Sequence, residues 1–201
     1  MIELKTDRLI LRRWKESDAE ALFRYASDPE LGPLAGWPPH KNVEESREVI
    51  RSVFCNDRTW AVKMNATGEP IGCVGYLTAS ASNLQIGSND AEVGYWIARP
   101  HWGKGFCTEA MLMVVDFCFY GKGFDSLWGC FFPSNQASGR VMEKCGFRDT
   151  GQTTICPNLL LGSNLPVKVM KLPNPMKKIC AVAPGAVGAC SHTCQDVRED
   201  V

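Results

Sequence analysis

A strand-like run that ends in a glycine-rich turn is the part of the sequence best suited to chemistry. The run from Glu92 to Glu109 reads EVGYWIARPHWGKGFCTE and predicts a strand, a tight turn at Gly103 and Gly105, and then a helix. Glycines in such a turn remove the Cβ atoms that would block a close approach, and the helix N-terminus offers free N–H groups and a positive dipole end. This pattern favours an anion there, and we expect a ligand that carries phosphates.

Glycine-rich turns are weak signals when taken one at a time, and two known phosphate-binding motifs do not fit this one. The Walker pattern fails because no Gly-Lys-Ser/Thr follows a four-residue gap. The dinucleotide fingerprint fails because the run from Gly103 to Thr108 lacks the third glycine and follows the fourth predicted strand. A helix that merely begins at glycines after a proline turn is the alternative interpretation.

The hydrophobic pattern predicts the elements that must hold this turn in place. It favours seven strands, which span residues 8–14, 59–64, 70–78, 91–98, 126–132, 147–155 and 166–172. Four helices are expected to begin near Asp18, Asn42, Gly105 and Ser134. This order mixes local hairpins with crossovers, and it predicts an α/β fold in which helices cover both faces of a mixed sheet.

Two further expectations concern the chain between the first two strands. The segment from Leu31 to Lys41 holds two glycines and three prolines, so we expect neither a helix nor a central strand there. In the helix that begins at Asn42, the inner face should be formed by Val49, Ile50 and Val53.

The balanced charge excludes several classes of partner. The 201 residues carry 22 basic and 22 acidic side chains, which removes the usual electrostatic argument for binding nucleic acid or an anionic membrane. No apolar run reaches the roughly 20 residues that a bilayer requires. The charged N-terminal sequence MIELKTDRL is unlike a signal peptide, and we expect a cytoplasmic protein.

The ten cysteines lie mostly in apolar runs and are interpreted as buried free thiols.

The glycine turn and a second motif together resemble the GCN5-related N-acetyltransferases, the GNAT superfamily. The second motif, FPSNQASGRVMEKCGF, spans residues 132–147, and TDRLILR at 6–12 and EVGYW at 92–96 also match. Within the family, the sequence looks most like the branch that includes the RimJ and RimL ribosomal-protein N-terminal acetyltransferases. The resemblance covers about residues 3–172.

We therefore assign residues 1–172 to a GNAT acetyltransferase domain and residues 173–201 to a poorly ordered tail, because the pattern of elements collapses after Leu172. A set of three cysteines and a histidine in the tail could in principle hold zinc: Cys180, Cys190, His192 and Cys194. The set lacks the tight Cys-x2-Cys pairs of zinc sites, and we expect exposed thiols and no metal.

The resemblance implies how acetyl-CoA, the acetyl donor, would bind. A mostly antiparallel central sheet would splay between the fourth and fifth predicted strands, with acetyl-CoA wedged in the opening. The pyrophosphate would rest on N–H groups of the glycine turn, and the strand edge would bind the pantetheine chain and the thioester oxygen. The expected cofactor-binding residues are Tyr95, Trp96, Ile97, His101, Trp102, Gly103, Lys104, Gly105, Phe106, Cys107, Thr108, Asn135 and Ser138. For His101, a solvated loop position is the alternative, and Trp102 is expected to pack beneath the turn.

Acetyl transfer to an amine needs a base for the ammonium and a proton for the departing thiolate. Glu92 is one of few acids in the apolar middle of the chain and is the candidate base, with a surface carboxylate as the alternative. Ser138 is the candidate acid, and Asn135 resembles the family's cofactor-contacting asparagine. Helix capping is the alternative for both, since Ser and Asn are preferred at helix starts. Pro100 departs from the family, which commonly has Gln or Arg at that place.

The acceptor is expected to be a primary amine, either a protein N-terminus or a small molecule. Trp37 and His40 lie in the loop that faces the acceptor in this family and are the candidate substrate-binding residues, although Trp37 could equally be a hydrophobic plug. We expect direct transfer in a ternary complex, because neither Cys107 nor Cys145 has a histidine nearby in sequence. The alternative is a non-catalytic acyl-CoA sensor. The chain is expected to be a monomer or a homodimer.

Overall fold

The strands of the protein form one sheet that positions everything described below. The computed structural model describes residues 2–158 and 163–177. Within this part of the chain, eight strands lie in the order β1-β2-β3-β4-β5-β6-β8-β7. All neighbours are antiparallel except β5 and β6, which are parallel. The strands are β1 (Leu4–Lys5), β2 (Leu9–Arg13), β3 (Thr59–Met64), β4 (Pro70–Thr78), β5 (Asp90–Ile97), β6 (Ser126–Phe131), β7 (Arg148–Asn158) and β8 (Ser163–Pro173).

Five α-helices accompany the sheet in the described residues. They are α1 (Ala19–Ala26), α2 (Leu31–Ala35), α3 (Val43–Val49), α4 (Phe106–Asp116) and α5 (Gln136–Lys144). Asn42 caps α3, since its side-chain oxygen accepts a hydrogen bond from the N–H of Glu45 at 2.8 Å. Both α3 and α4 continue into a π-helical turn, at Ile50–Phe54 and Phe117–Gly121.

The seven predicted strands and four predicted helices are confirmed, but two local expectations are wrong. The segment after Leu31 forms the short helix α2 because Pro33 falls in its first turn, where a missing N–H costs nothing. This helix ends at Gly36, which adopts a left-handed φ of 93°. Val53 is 56% exposed instead of facing inward, because the π-helical turn breaks the 3.6-residue period on which the expectation relied.

Each face of the sheet is covered by helices, as predicted. One face packs against α4 and α5, with a core that includes Met111, Val114, Leu127 and Met142. The other face packs against α1 and α3, with a core that includes Trp14, Leu22, Ile50 and Trp96. Because successive side chains of a strand point to opposite faces, Val93 and Ile97 of β5 belong to the first core and Trp96 to the second.

The chain continues past the predicted domain boundary at residue 172 with ordered contacts. Strand β8 reaches Pro173, and the side chain of Asn174 is buried and donates to the carbonyl of Phe124 at 2.8 Å. Lys177 pairs with Asp125. The rest of the predicted tail, with its cysteines and histidine, lies outside the described residues. In the described part of the chain, no helix has the length and apolarity that crossing a membrane requires.

Cysteine burial follows the expectation fully in three of the six described cases. Cys73, Cys118 and Cys145 are buried, Cys107 and Cys130 are partly buried, and Cys55 is exposed. None of these six forms a disulfide in the described part of the chain. The described residues contain no cluster of three or more His, Cys, Asp or Glu side chains that could hold a metal ion.

Candidate active site

The sheet opens between β5 and β6. Among the described residues these strands pair at three positions, Asp90 with Ser126, Ala91 with Leu127, and Glu92 with Trp128. Beyond these pairs β5 continues to Ile97 and β6 to Phe131, but the two strands no longer pair with each other. A cavity of about 750 Å³ lies in the gap between them. The predicted splay between the fourth and fifth of the predicted strands is therefore confirmed.

The main chain of β5 supplies polar groups to this gap at alternate residues. The N–H of Ala98 donates to the carbonyl of Ile71 on β4 at 2.8 Å, and Trp96 stands opposite Cys73 in the same ladder. In an antiparallel ladder alternate residues bond the same neighbour, so the main chain of Trp96 is directed to β4. The main chains of Tyr95 and Ile97 are directed to the gap. Of the three residues predicted to make backbone contacts, Tyr95 and Ile97 thus direct their main chains to the gap, whereas Trp96 directs its own to β4.

The glycine turn lies at the mouth of the gap. Gly103 and Gly105 line the cavity, with left-handed φ angles of 74° and 81°. A Cβ at Gly103 would meet no atom within 4 Å, so backbone conformation and not space demands glycine there. Gly105 is the N-cap of α4 and no side chain caps this helix, which leaves its first N–H groups to a ligand. Phe106, Cys107 and Thr108 of the first turn also line the cavity.

The two large side chains beside the turn, Trp102 and His101, both line the cavity, and the position of Trp102 differs from the expectation. Trp102 does not pack beneath the turn: it is 44% exposed, lines the cavity, and donates its indole N–H to the carbonyl of Ile97 at 2.5 Å. His101 lines the cavity with its ring against Tyr25 and Phe106. Burial, with a smaller effect of Lys104, lowers the pKa of His101, so its ring brings no positive charge to the site at pH 7.

An ion-pair network holds the glycine turn against β2 and α4, and the sequence did not reveal it. Arg8 donates its Nε to Glu109 at 2.7 Å and its Nη1 to the carbonyl of Lys104 at 3.0 Å, and its guanidinium lies 4.6 Å from the ring centre of Phe106. Thr6 donates its hydroxyl to Glu109 at 2.5 Å. We call these contacts the Arg8 clamp. Burial raises the pKa of Glu109, but the hydrogen bonds from Thr6 and Arg8 outweigh it and lower the pKa.

Glu92 lies where the two strands part. Its Oε2 accepts a hydrogen bond from the Ser82 hydroxyl at 2.6 Å, and the Cys130 sulfur lies 3.5 Å from its Oε1. Glu92 is partly buried and lines the cavity, so it is not a plain surface carboxylate at a strand start. Neither Ser82 nor Cys130 carried a sequence signal, since both reach Glu92 from other elements.

Ser138 is paired with the Tyr95 hydroxyl, a partner that the sequence did not suggest. The Tyr95 oxygen lies 2.8 Å from the Ser138 carbonyl and 3.0 Å from the Ser138 hydroxyl. A carbonyl only accepts, so Tyr95 donates its single proton there and the Ser138 hydroxyl donates to Tyr95. Burial raises the pKa of Tyr95, which keeps its phenol protonated.

Asn135 caps α5 and also ties it to α2. Its Oδ1 accepts from the N–H of Ser138 at 3.2 Å, which is the capping role named as the alternative. Its Nδ2 donates to the carbonyl of Leu34 at 3.1 Å. Asn135 also lines the cavity, so capping and a place at the cleft coexist in this residue.

A second cavity, of about 400 Å³, lies on the face of the sheet that packs against α1 and α3. Both predicted acceptor-site residues line it: Trp37, whose ring lies 6.0 Å from that of Trp96, and His40, whose Nδ1 lies 2.8 Å from the Ser46 hydroxyl. Burial lowers the pKa of His40. The segment 92–96 of β5 lines this cavity as well as the first. The two cavities therefore meet at one strand.

The thiols near the cleft are poor nucleophiles. Burial raises the pKa of Cys107, with a smaller effect of Cys145 in the same direction. Burial raises the pKa of Cys145 to about 11. Because the thiolate is the reactive form, both side chains stay protonated and unreactive at neutral pH.

The sheet opens beside a helix N-terminus that follows a glycine turn, and a partly buried carboxylate lies where the strands part. The resemblance implies this arrangement for an N-acetyltransferase. The chain matches the Acetyltransferase (GNAT) domain family over residues 8–148. It is also 31% identical, over 153 residues, to YoaA of Bacillus subtilis (strain 168), an uncharacterized N-acetyltransferase, and this match covers 74% of the chain and 84% of the relative. The chain belongs to the GNAT family of acetyltransferases.

Solved structures share the fold. The ribosomal-protein-S5-alanine acetyltransferase from Vibrio fischeri superposes with a TM-score of 0.66 at 18% identity, covering 87% of the chain and 98% of that protein. The spermidine N-acetyltransferase from Vibrio cholerae, solved with CoA and spermine, gives 0.66 at 19% identity, covering 84% and 97%. The predicted membership of the GNAT superfamily is confirmed by the family match, and these structures share its fold.

Proposed function

We propose that this acetyltransferase moves an acetyl group from acetyl-CoA directly to a primary amine, with both substrates bound at once. The observation that carries this proposal is the meeting of two cavities at residues 92–96 of β5. Substrates in the two cavities would lie on either side of one strand, within reach of each other and of Glu92. Such juxtaposition replaces a collision in solution with a reaction between oriented groups.

The larger cavity is suited to acetyl-CoA, the acetyl donor that GNAT acetyltransferases use. Its glycine turn would bind the pyrophosphate with the N–H groups of Gly103, Lys104 and Gly105, at the positive end of α4. The gap between β5 and β6 would hold the pantetheine arm, with the main-chain groups of Tyr95 and the N–H of Ile97 as partners, since the Ile97 carbonyl already accepts from Trp102. In this arrangement the cofactor is bound by backbone donors. Pro100 is therefore tolerated at a place where the family commonly has a polar side chain.

Glu92 would accept the proton that the ammonium must lose before it attacks. Glu92 lines both cavities, and its carboxylate is oriented by the Ser82 hydroxyl at 2.6 Å. A base must be within hydrogen-bond reach of the proton, directly or through one water, and the place of Glu92 in the lining of both cavities supports this role.

The departing thiolate needs a proton, and Ser138 with Tyr95 is the hydroxyl pair beside the gap. Ser138 lines the cavity, but its proton is directed to Tyr95 in the structure. We infer that Ser138 donates to the thiolate only after its hydroxyl rotates, with Tyr95 holding α5 in place through the Ser138 carbonyl.

Direct transfer is favoured over an acetyl-cysteine intermediate because Cys107 and Cys145 are held protonated by burial. A non-catalytic sensor is the less favoured alternative, since a binding module needs no second cavity beside a carboxylate. The acceptor, a protein N-terminus or a small amine, remains part of the proposal: one structural neighbour is a ribosomal-protein acetyltransferase and another a spermidine acetyltransferase.

Steady-state kinetics with the Glu92→Gln variant tests this proposal. We expect acetyl-CoA affinity to stay within about twofold, measured by calorimetry, and kcat at pH 7 to fall about 100-fold or more, the usual contribution of a general base. Glu48→Gln, at an exposed position on α3, is the matched control and should change neither value. Double-reciprocal plots should intersect, as a ternary complex requires. Parallel lines, or full activity of Glu92→Gln across pH, would remove the proposed mechanism.

A further inference from the structure

The second cavity is walled largely by apolar groups. The rings of Trp37, Phe54 and Trp96 line it. Trp14 stands behind them and stacks on Phe54 at 5.0 Å and on Trp96 at 6.4 Å between ring centres. These contacts fix the rings in place before any ligand arrives, so the cavity offers a preformed aromatic surface.

The mouth of this cavity is apolar as well. Val53 and Leu77 line it and are 56% and 41% exposed, which places two large aliphatic side chains against solvent. Exposed apolar side chains grouped at a concave site mark a surface that a ligand covers. An occupant with an apolar body would remove both from water.

The charges around the cavity favour a ligand that carries one positive charge. Among its described lining residues, the charged side chains are Glu92 and Glu45, and there is no lysine or arginine. His40 is neutral at pH 7, since burial lowers its pKa below the ordinary value. Glu45 already accepts the backbone N–H of Lys41 at 2.5 Å. A ligand carboxylate would find no cationic partner here, and a polyamine or an aminoglycoside would find too few anions.

Resting on the proposed function, we propose that the acceptor is a compact small-molecule primary amine with one positive charge and an apolar, preferably aromatic, body. The ammonium lies toward Glu92, and the body fills the space between Trp37, Trp96 and the mouth at Leu77. The volume of about 400 Å³ is near the lower end for small-ligand sites, which suits such a molecule.

An acceptor series that varies one property at a time tests this inference. Acetyl transfer is followed as CoA release with 2-phenylethylamine, ethylamine, spermidine, L-phenylalanine, L-phenylalaninamide and a short peptide that begins with phenylalanine. We expect kcat/KM for 2-phenylethylamine to exceed the values for ethylamine, spermidine and the peptide at least tenfold. L-Phenylalanine should react at least tenfold more slowly than its amide, because the two differ in the carboxylate.

Variants of the cavity connect these preferences to named side chains. Trp37→Ala should reduce the ratio of kcat/KM for 2-phenylethylamine over ethylamine at least fivefold. Tyr120→Ala is the matched control, because Tyr120 is 63% exposed and lies outside both cavities. Leu77→Lys, at an exposed position that leaves folding intact, should raise the KM for every cationic amine.

The outcomes separate this inference from the proposed function. Acetylation of spermidine or the peptide in preference to 2-phenylethylamine would overturn the inference and leave the proposed function standing. Failure to bind acetyl-CoA in calorimetry would overturn both. If acetyl-CoA binds and no amine in the series reacts, titration of the protein–CoA complex with 2-phenylethylamine decides: saturable binding supports the inference, and its absence overturns it.

Discussion

The Arg8 clamp allows a quantitative prediction about binding at the glycine turn. Arg8 lies on the chain just before β2, yet it contacts the carbonyl of Lys104 and the carboxylate of Glu109, about 100 residues later in sequence. Its role is therefore to hold the turn and to neutralise an acid in the first turn of α4. A bare carboxylate there would repel the pyrophosphate that we place at this helix end.

The cost of Arg8→Ala follows from the contacts that are lost. The Arg8 side chain is 49% exposed, so its ion pair with Glu109 contributes about 0.5 kcal/mol. Its position over Phe106 contributes about 0.5 kcal/mol at such exposure. The hydrogen bond to Lys104 adds about 1 kcal/mol. We expect the free energy of unfolding to fall by about 2 kcal/mol, and the Kd for CoA to rise about tenfold, which corresponds to about 1.4 kcal/mol.

Chemical denaturation and calorimetry with CoA measure the two effects separately. Arg13→Ala is the control, since Arg13 forms a similarly exposed pair with Asp57 at 3.2 Å but is not part of the Arg8 clamp. In the double variant Arg8→Ala/Glu109→Gln, part of the affinity should return because the unbalanced charge is gone. Wild-type CoA affinity in Arg8→Ala, together with the expected loss of stability, would refute the coupling of the clamp to the cofactor site.

Three further predictions concern packing, pH and the thiol beside Glu92. Gly139→Ala should lower the urea-measured free energy of unfolding by about 1 kcal/mol: its Cβ would lie 2.8 Å from the Phe131 ring, and an overpacking cost of about 2 kcal/mol exceeds the helix-propensity gain of about 1 kcal/mol. Because burial lowers the pKa of His40 in the folded protein, the unfolded chain takes up a proton first as the pH falls below 6.5. The free energy of unfolding therefore declines with falling pH until the folded pKa is passed. The drop in Tm between pH 7.5 and 5.5 should be smaller in His40→Gln than in the wild type. Cys130→Ser should retain kcat within about threefold, and a loss above 100-fold would contradict direct transfer.

The sequence predicted the fold and the opening of the sheet well, for physical reasons. Strands reveal themselves through alternation, and a glycine turn before a helix is a local pattern, so both could be found without the structure. Helix α2 was not predicted from the sequence, because prolines usually argue against a helix, whereas a proline in the first turn is tolerated. The position of Val53 escaped because a π-helical turn leaves no mark in the composition.

The side-chain partners of the site were beyond sequence reasoning. Ser82 meets Glu92 from the loop before β5, Tyr95 meets Ser138 across the open gap, and Arg8 meets Glu109 over a separation of 101 residues. Each residue type is common, and only tertiary packing brings the partners together. Local patterns therefore locate a binding site, whereas the hydrogen bonds that orient its functional groups depend on the whole fold.

Gly94 offers the most direct test of a reaction across β5. A Cβ at this position would point to the same face as the side chains of Glu92 and Trp96, and it would meet no atom within 4 Å. Gly94 also lines both cavities, and a larger side chain on this face would project into the second cavity beside Glu92. By contrast, a Cβ at Gly75 on β4 would lie 2.5 Å from the carbonyl of Arg58 and would disturb the fold.

Gly94→Val should consequently separate binding from transfer. The variant is expected to fold with at least wild-type stability, because glycine in a strand interior is unfavourable and valine suits a strand. Its calorimetric Kd for acetyl-CoA should stay within about threefold, while kcat should fall at least 100-fold, since a shift of about 1 Å in an aligned pair of reactants costs that much. Gly75→Val, as the contrast, should lower Tm. A stable Gly94→Val enzyme with undiminished kcat would show that acetyl and amine do not meet at this strand.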